Sequence, residues 1–390
     1  MGLCLDFLWH WCYNNYNLYK ELIFMMKIGM VGVGCISGIY LKNFAETFKE
    51  VELVAVCDLI RERAENAQKK YNIPKLYDTM EELFADPEID IVLNLTRPYE
   101  HYGVSKGALL AGKHVYCEKP LGITIEEGEE LVKLAEEKGL WLGGAPDTFM
   151  GAGIQTARKL IDEGLIGDFI GGRFVMANHG METWHPDPDF YYQAGGGPLF
   201  DMGPYYITAM INLLGGVKSV YGYGHASYPT RLITAKEHYG EIIEVNTPTH
   251  IESILTLENG KNVSLFTSFD IYSSKQTNIE IYGTKGTLYV PDPNMFGGEI
   301  RLYRPEQEKT QEIPLAFSYK QNSRALGLAD MAKALQTGRE YRPDSSMTFH
   351  VLEIMDSLLK SGRERREVAI ESRFAPRKPM LSGGQMGILE

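Results

Sequence analysis

The sequence lacks the features that mark several common classes of protein. No stretch of 18 or more apolar residues is present, so no segment is long enough to cross a bilayer as a helix. Lysine and arginine total 39 against 51 aspartates and glutamates, and the net charge of −12 disfavours nucleic acid and anionic membranes as partners. The 5 cysteines are odd in number and scattered, without a secretory segment, which favours a reducing, cytoplasmic setting. Cys4, His10 and Cys12 lack the spacing of a zinc finger and a fourth ligand, so we predict no metal site.

The chain is long enough for two globular domains, with 390 residues of which 44% are hydrophobic and 23% charged. Changes in pattern place the first domain at residues 26–146 and the second at residues 147–390. Residues 1–25 form an atypical extension that has no basic segment before its apolar residues. A translation start at Met25 or Met26 is an alternative explanation of this stretch.

A nucleotide-binding pattern opens the first domain. The β-prone run 26–31 leads into Gly32-Val33-Gly34-Cys35-Ile36-Ser37, which has the spacing G-x-G-x-x-G with serine in the third position. In this pattern Gly32 permits a tight turn, Gly34 lets the backbone approach a pyrophosphate, and the following helix directs its N-terminal dipole at the phosphates. We therefore predict a bound dinucleotide.

An acidic residue completes the nucleotide-binding unit. The second strand, 51–57, ends at Asp58, where an acid binds the ribose hydroxyls of the adenosine. A carboxylate there repels a 2′-phosphate, so NAD is favoured over NADP as the cofactor. Arg61 is close enough to keep NADP open, and capping of the helix 61–71 is an alternative role for Asp58.

Strands and helices continue to alternate up to residue 146. Strands are predicted at 89–95, 114–117 and 141–145, and helices lie between them. This alternation favours a doubly wound parallel sheet of the Rossmann type. Ligands of such sheets bind outside the carboxyl ends of the strands.

Glu118-Lys119-Pro120 directly follows one of these strands. Lys119 should therefore point into the ligand crevice. Pro120 disfavours the helical region for Lys119 and holds it extended, and the bond between them has access to the cis form. The alternative is a strand that simply ends in charged residues and a turn.

The second domain has a different pattern, with successive strands that no helices separate. Such runs favour a large, mostly antiparallel sheet in an α+β domain. The triplet Gly195-Gly196-Gly197 precedes a helix that we expect to begin near Asp201. Asp201 and Tyr205 are four residues apart and share a helix face. An N-cap role for Asp201 and simple packing of Tyr205 are the alternatives. The predicted strands are 169–178, 217–223, 250–257, 262–268, 277–282 and 287–290.

These residues suit the oxidation of an alcohol. Hydride leaves a carbinol carbon only as its hydroxyl loses a proton, so a base must lie beside the nicotinamide. Desolvation beside a positively charged ring should lower the pKa of Lys119, and Tyr205 relays the proton. Asp201 would orient the lysine or the hydroxyl. The aromatic side chains that suit stacking on a sugar face are Trp184, Tyr191 and Tyr192, and those that suit hydroxyl groups are His185, Asp147 and Asp187. A surface loop with packing aromatics is the alternative for the stretch around Trp184.

Taken together, these motifs resemble the family of glucose–fructose oxidoreductase and inositol dehydrogenase (Gfo/Idh/MocA), over about residues 27–361. The resemblance implies an NAD-dependent oxidoreductase of a sugar, glycoside or polyol, with Lys119 catalytic and a homodimeric or homotetrameric assembly. Tyr205 stands where many members carry a histidine, as in the tyrosine branch of the family. Asp147 lies where many members carry asparagine and arginine. The predicted cofactor contacts are Gly32, Gly34, Cys35, Ile36, Asp58, Thr96, Pro98, His101, Glu118 and Lys119.

Two other functions fit the same motifs. One is a lyase or hydrolase that retains NAD and oxidises its substrate only transiently. The other is a non-catalytic protein that senses NAD or a sugar. A sensor has no need of a base, so Lys119, Asp201 and Tyr205 together favour an enzyme.

Overall fold

The computed structural model describes residues 25–390, and the statements below concern this part of the chain. The predictions for residues 1–25 lie outside it, except for Met25. The elements of the first domain are β1 (Met26–Val31), α1 (Ser37–Glu46), β2 (Val51–Cys57), α2 (Arg61–Tyr71), β3 (Lys75–Leu76), α3 (Met80–Ala85), β4 (Ile91–Asn94), α4 (His101–Leu110), β5 (His114–Cys117), α5 (Ile125–Lys138) and β6 (Leu142–Gly144).

These strands form one parallel sheet in the order β3-β2-β1-β4-β5-β6. The order reverses direction between β1 and β4, and this switch point is where a doubly wound sheet binds its ligand. The central strands are buried on both faces, as Ile28, Met30 and Val92 show. The predicted Rossmann fold is confirmed.

The second domain is built around a nine-stranded sheet. Its elements are α6 (Ala152–Asp162), β7 (Phe169–Ala177), α7 (Gly197–Asp201), α8 (Gly203–Leu214), β8 (Val217–His225), β9 (Thr230–Leu232), β10 (Ile242–Glu244), β11 (His250–Leu257), β12 (Asn262–Ser268), β13 (Ile279–Gly283), β14 (Gly286–Val290), β15 (Ile300–Tyr303), β16 (Gln311–Ile313), α9 (Leu326–Thr337), α10 (Ser345–Glu364) and β17 (Val368–Ala369).

The large sheet is mixed and mostly antiparallel, as predicted. Its order is β16-β15-β14-β13-β7-β12-β11-β8-β17, and β7 and β12 pair in parallel. α8 and α10 pack on one face. The opposite face exposes large side chains, among them Tyr221, Tyr223 and Ile254. The prediction missed β9, β10 and β15 to β17, because strands of two to four residues are too short for an alternating pattern to show.

The last helices return to the first domain and hold the two sheets together. The backbone N–H of Gly144, in β6, donates to the carbonyl of Pro343 at 3.1 Å. Trp141 stacks on Tyr341 with 4.7 Å between ring centroids. The carboxyl ends of the parallel strands are thereby held against the second domain.

A buried network fixes the loop that precedes α7. Arg231 donates to Glu182 at 3.1 Å and to the carbonyl of Phe269 at 2.9 Å, and it also pairs with Asp270. Tyr192 donates its hydroxyl to the other oxygen of Glu182. The side chains of Arg231, Glu182 and Asp270 are 5%, 6% and 4% exposed. Arg231 thus joins the loop to the sheet.

Replacing Arg231 by Met should destabilise the protein by about 3–5 kcal/mol, because two buried carboxylates would lose their partner. Chemical denaturation measures this change in the free energy of unfolding. Arg301→Met is the matched control, since Arg301 is 45% exposed and pairs with Glu299 at 3.4 Å. The control should change stability by less than about 0.5 kcal/mol. Equal effects of the two replacements would contradict the assigned role of Arg231.

Candidate active site

The glycine loop after β1 has the geometry expected of a phosphate site. Gly32 has φ +97°, and a Cβ there would lie 2.8 Å from the backbone carbonyl of Leu95, so the turn requires glycine. A Cβ on Gly34 would meet no protein atom within 4 Å. Packing inside the chain therefore does not explain Gly34, whereas close approach of a pyrophosphate does. Ser37 donates its hydroxyl to the Gly34 carbonyl at 2.7 Å and closes the turn at the start of α1.

Asp58 links the end of β2 to this loop. Its carboxylate accepts hydrogen bonds from the backbone N–H of Val33 at 2.6 Å and of Ile60 at 2.7 Å. The cap residue of α2 is Ile60, which has no side-chain cap, so Asp58 is not the N-cap. An ionised carboxylate has about four acceptor positions, and two remain for ribose hydroxyls. Arg61 pairs with Glu65 and Asp78 instead. These residues fit NAD.

Thr96, Pro98 and His101 form the turn beyond β4. Thr96 donates its hydroxyl to Asn94 Oδ1 at 2.6 Å, and Pro98 begins the 3₁₀ turn before α4. His101 is 1% exposed, and its ring nitrogens face the carbonyls of Pro120 at 2.6 Å and Thr96 at 3.1 Å. Burial lowers the pKa of His101, so the ring is neutral and donates to one of the two. His101 therefore holds two turns together, and its predicted contact with the cofactor stays a prediction.

Glu118 also supports the crevice from beneath. Its carboxylate accepts from the Tyr40 hydroxyl at 2.8 Å and from the backbone N–H of Lys119 at 3.0 Å. The next peptide bond, Lys119–Pro120, is cis. In the glycine turn, Cys35 is exposed and Ile36 is half-buried. Glu118 thus orients the lysine that follows it.

Lys119 and Asp201 meet across the crevice between the two domains. Lys119 Nζ donates to Asp201 Oδ1 at 2.8 Å and to the Asp201 carbonyl at 2.7 Å, although 82 residues separate them. Both side chains are 15% exposed. Burial by itself lowers the pKa of Lys119, but Asp201, Tyr205 and Glu118 raise it more, and the net pKa is raised. In the protein alone, a carboxylate at hydrogen-bond distance thus outweighs desolvation, and the lowering expected beside a positively charged nicotinamide ring stays a prediction.

Tyr205 lies beside this pair with its ring centroid 5.2 Å from Lys119 Nζ. It is 6% exposed and belongs to the first turn of α8. The helix predicted to begin near Asp201 is α8, which begins two residues later at Gly203, with Met202 as its cap residue. Asp201 is instead the last residue of the separate short helix α7, so Asp201 and Tyr205 do not share one helix face as predicted. Asp201 is consequently not an N-cap.

Arg324 is the site residue that sequence reasoning missed. Its Nη2 donates to the Tyr205 hydroxyl at 3.4 Å and to Asn294 Oδ1 at 2.7 Å. It precedes α9 and is 119 residues from Tyr205. No motif or periodic pattern surrounds Arg324, so the sequence carried no signal for it.

The predicted stacking residues of the loop 182–192, here called the aromatic loop, differ in their exposure. Trp184 is 61% exposed. His185 is buried, and its Nδ1 accepts from the backbone N–H of Asp187 at 3.1 Å. Burial lowers the pKa of His185, so the ring is neutral. Burial raises the pKa of Tyr191, whose ring centroid lies 5.1 Å from that of His185.

Asp147 is 1% exposed and lies beneath the crevice. Its carboxylate accepts from the backbone N–H of Gly327 at 3.0 Å, in the first turn of α9. Burial raises the pKa of Asp147 to about 6. Asp147 therefore caps a helix of the second domain, and its position does not support the predicted contact with a substrate hydroxyl.

Comparisons with known families agree with this architecture. The family model described as "Oxidoreductase family, NAD-binding Rossmann fold" matches residues 26–143. The model described as "GFO/IDH/MocA C-terminal domain" matches residues 154–289. The two matches are separated by residues 144–153 and together cover more than half of the chain.

Individual relatives are more distant. Trans-1,2-dihydrobenzene-1,2-diol dehydrogenase of Mus musculus is 29% identical over 289 residues, which are 72% of this chain and 80% of the mouse protein. D-xylose dehydrogenase of Paenarthrobacter nicotinovorans is 24% identical over 336 residues, 80% of this chain and 84% of the relative. A levoglucosan dehydrogenase solved with NADH and L-sorbose has the same fold, with a TM-score of 0.76 at 20% identity over 89% of this chain and 99% of that one. The chain thus belongs to the Gfo/Idh/MocA oxidoreductase family and is an NAD(P)-dependent dehydrogenase of CH–OH groups.

Proposed function

We propose that the protein oxidises a secondary hydroxyl of a sugar, glycoside or polyol and transfers the hydride to NAD. The observation that carries this proposal is the contact of Lys119 with Asp201 beside Tyr205, at the carboxyl ends of the parallel strands. The compounds in the names of the three relatives all carry neighbouring hydroxyl groups. A vicinal diol on a ring is therefore the proposed substrate class.

The geometry divides the chemistry between two side chains. Lys119 is an ammonium group, held by Asp201, and it donates a hydrogen bond to the substrate oxygen and stabilises negative charge there. Tyr205 accepts the hydroxyl proton and returns it in the reverse direction. NAD supplies the acceptor of the hydride. His185 and Tyr191 pack against the substrate on the side of the second domain.

NAD should be the preferred cofactor, because Asp58 sits where a 2′-phosphate would be placed and Arg61 is already paired. We expect a panel of sugars and polyols to include substrates that form NADH faster than NADPH. Asp58→Ala should reduce the preference by about 1–2 kcal/mol in kcat/KM, near the value of a charged hydrogen bond. Glu62→Ala, on the exposed face of α2, is the control.

A higher kcat/KM with NADP would contradict this assignment. Substrate turnover without net NADH would instead support the NAD-retaining lyase. A non-catalytic sensor would show neither substrate turnover nor formation of NADH.

Lys119 and Tyr205 should act as one unit. Lys119→Ala and Tyr205→Phe should each lower kcat by about a hundred- to ten-thousand-fold, and the double variant should be hardly slower than the worse single one. NAD binding, measured by the quenching of protein fluorescence, should persist in all three variants. Tyr206→Phe is the matched control, since the Tyr206 hydroxyl bonds to Asn278 at 2.9 Å, away from Lys119. Near-normal turnover in Tyr205→Phe would return Tyr205 to a packing role.

The protein is proposed to assemble as a homodimer or homotetramer through the open face of its large sheet. Tyr221 and Ile254 are cross-strand neighbours there, 49% and 52% exposed. Light scattering after size exclusion should give two or four copies, and Ile254→Lys should reduce that number. Tyr239→Lys, at a 74% exposed site outside the sheet, should not. A monomeric wild type would contradict the proposal.

We also propose a cytoplasmic location. Cys35, Cys57 and Cys117 are free thiols, as expected in a reducing compartment. Among residues 25–390, no helix has both the length and the apolar character needed to span a membrane.

A further inference from the structure

Two cations flank the ring of Tyr205, and they are engaged differently. Lys119 directs two hydrogen bonds to Asp201. Arg324 has its Cζ 5.9 Å from the Tyr205 ring centroid and donates from Nη2 to the hydroxyl oxygen at 3.4 Å. A guanidinium has donors and no acceptor, so the phenol proton of Tyr205 cannot be given to Arg324 and remains free for another acceptor.

The charge of Arg324 is not neutralised by these contacts. The other acceptors of its guanidinium are two neutral amide oxygens, Asn294 Oδ1 at 2.7 Å and Asn322 Oδ1 at 2.9 Å. Burial by itself lowers the pKa of Arg324, but Tyr205, Glu118 and Asp147 raise it more, so the group stays charged. By contrast, the charge of Lys119 is balanced by the adjacent carboxylate.

The other ionisable groups around Tyr205 come from each neighbouring element. Lys119 lies at the end of β5, Asp201 at the end of α7 and Tyr191 on the aromatic loop. Lys119 and Asp201 balance each other, and the carboxylates of Glu118 and Asp147 act on Arg324 without a hydrogen bond to it. Arg324 is the cation that donates a hydrogen bond to the phenol oxygen, at 3.4 Å.

The backbone around Arg324 is held with some strain. Asn43, on the helix that starts at the glycine loop, donates to the carbonyls of Arg324 at 2.7 Å and Asn322 at 3.1 Å. The next residue, Ala325, is fully buried and has φ +85°. A left-handed conformation is unfavourable for a non-glycine residue, and such residues often lie at functional sites. This arrangement presents Arg324 to Tyr205 from the side of the cofactor domain.

We propose that Arg324 is a positioning residue for proton transfer, whose guanidinium stabilises the phenolate form of Tyr205. In the oxidation, the O–H bond of the alcohol breaks and the O–H bond of Tyr205 forms, while the C–H electron pair leaves with the hydride. The phenolate must be present before this step, and a nearby positive charge favours it. For the reaction, this inference rests on the proposed function. For the ionisation of Tyr205, it rests only on the contact between Arg324 and Tyr205.

The kinetic test compares Arg324→Met with Arg324→Lys over a range of pH. In Arg324→Met, the acidic limb of the kcat/KM profile for oxidation should move to higher pH by about one unit. At neutral pH this shift corresponds to a fall in kcat/KM of about tenfold. Carbonyl reduction, which needs the protonated phenol, should persist to higher pH. Arg324→Lys should restore part of the shift, and Arg301→Met, far from the site, should show none. A uniform loss in both directions at every pH would mean that Arg324 is only structural.

A second measurement needs no substrate. The protein is labelled with carbon-13 at tyrosine Cζ and studied by NMR. The Tyr205 resonance is the one that is missing from the spectrum of Tyr205→Phe. The change of this resonance from phenol to phenolate should occur about one pH unit higher in Arg324→Met than in the wild type. An unchanged transition would overturn the role of Arg324 even if a substrate is found. A shifted transition would support it even if no sugar is oxidised.

Discussion

The ion pair between Lys119 and Asp201 is the contact on which the rest of the site depends. It joins the end of a Rossmann strand to the end of a short helix in the other domain, so it exists only when both domains are packed together. A buried pair gains little net stability, because the cost of removing both charges from water offsets their attraction. Its value is chemical: Asp201 keeps Lys119 charged and aimed at one point in the crevice.

The fixed orientation of the Lys119 side chain requires a rigid support beneath the crevice. Glu118 orients the backbone of Lys119, and His101 ties the proline turn to the turn after β4. From the other domain, the helix that Asp147 caps brings Arg324 next to Tyr205. Polar residues that the sequence suggested as ligand contacts thus serve partly as supports. A buried polar group that holds a backbone and one that holds a ligand have the same residue type, and only its partners distinguish them.

The charge arrangement also separates the roles of the two candidate proton carriers. Lys119 loses its positive charge only against the attraction of a carboxylate at 2.8 Å, so it is poorly suited to act as a base. Tyr205 has no carboxylate as a hydrogen-bond partner, and two cations face its ring. This contrast supports the proposal that the lysine stabilises charge and the tyrosine transfers the proton.

The local sequence pattern was sufficient to predict much of the fold of this protein. The glycine turn and Asp58 lie within about 30 consecutive residues, and with the strand–helix alternation they were enough to predict the Rossmann fold and the cofactor class. The Glu-Lys-Pro turn and the glycine triplet drew attention to Lys119, Asp201 and Tyr205, which the structure brings together. The raised pKa of Lys119, the burial of Asp147 and the place of Arg324 arise from partners 82, 180 and 119 residues away. Such distances are closed only by the packing of one domain on the other, so tertiary structure alone decided which charges meet.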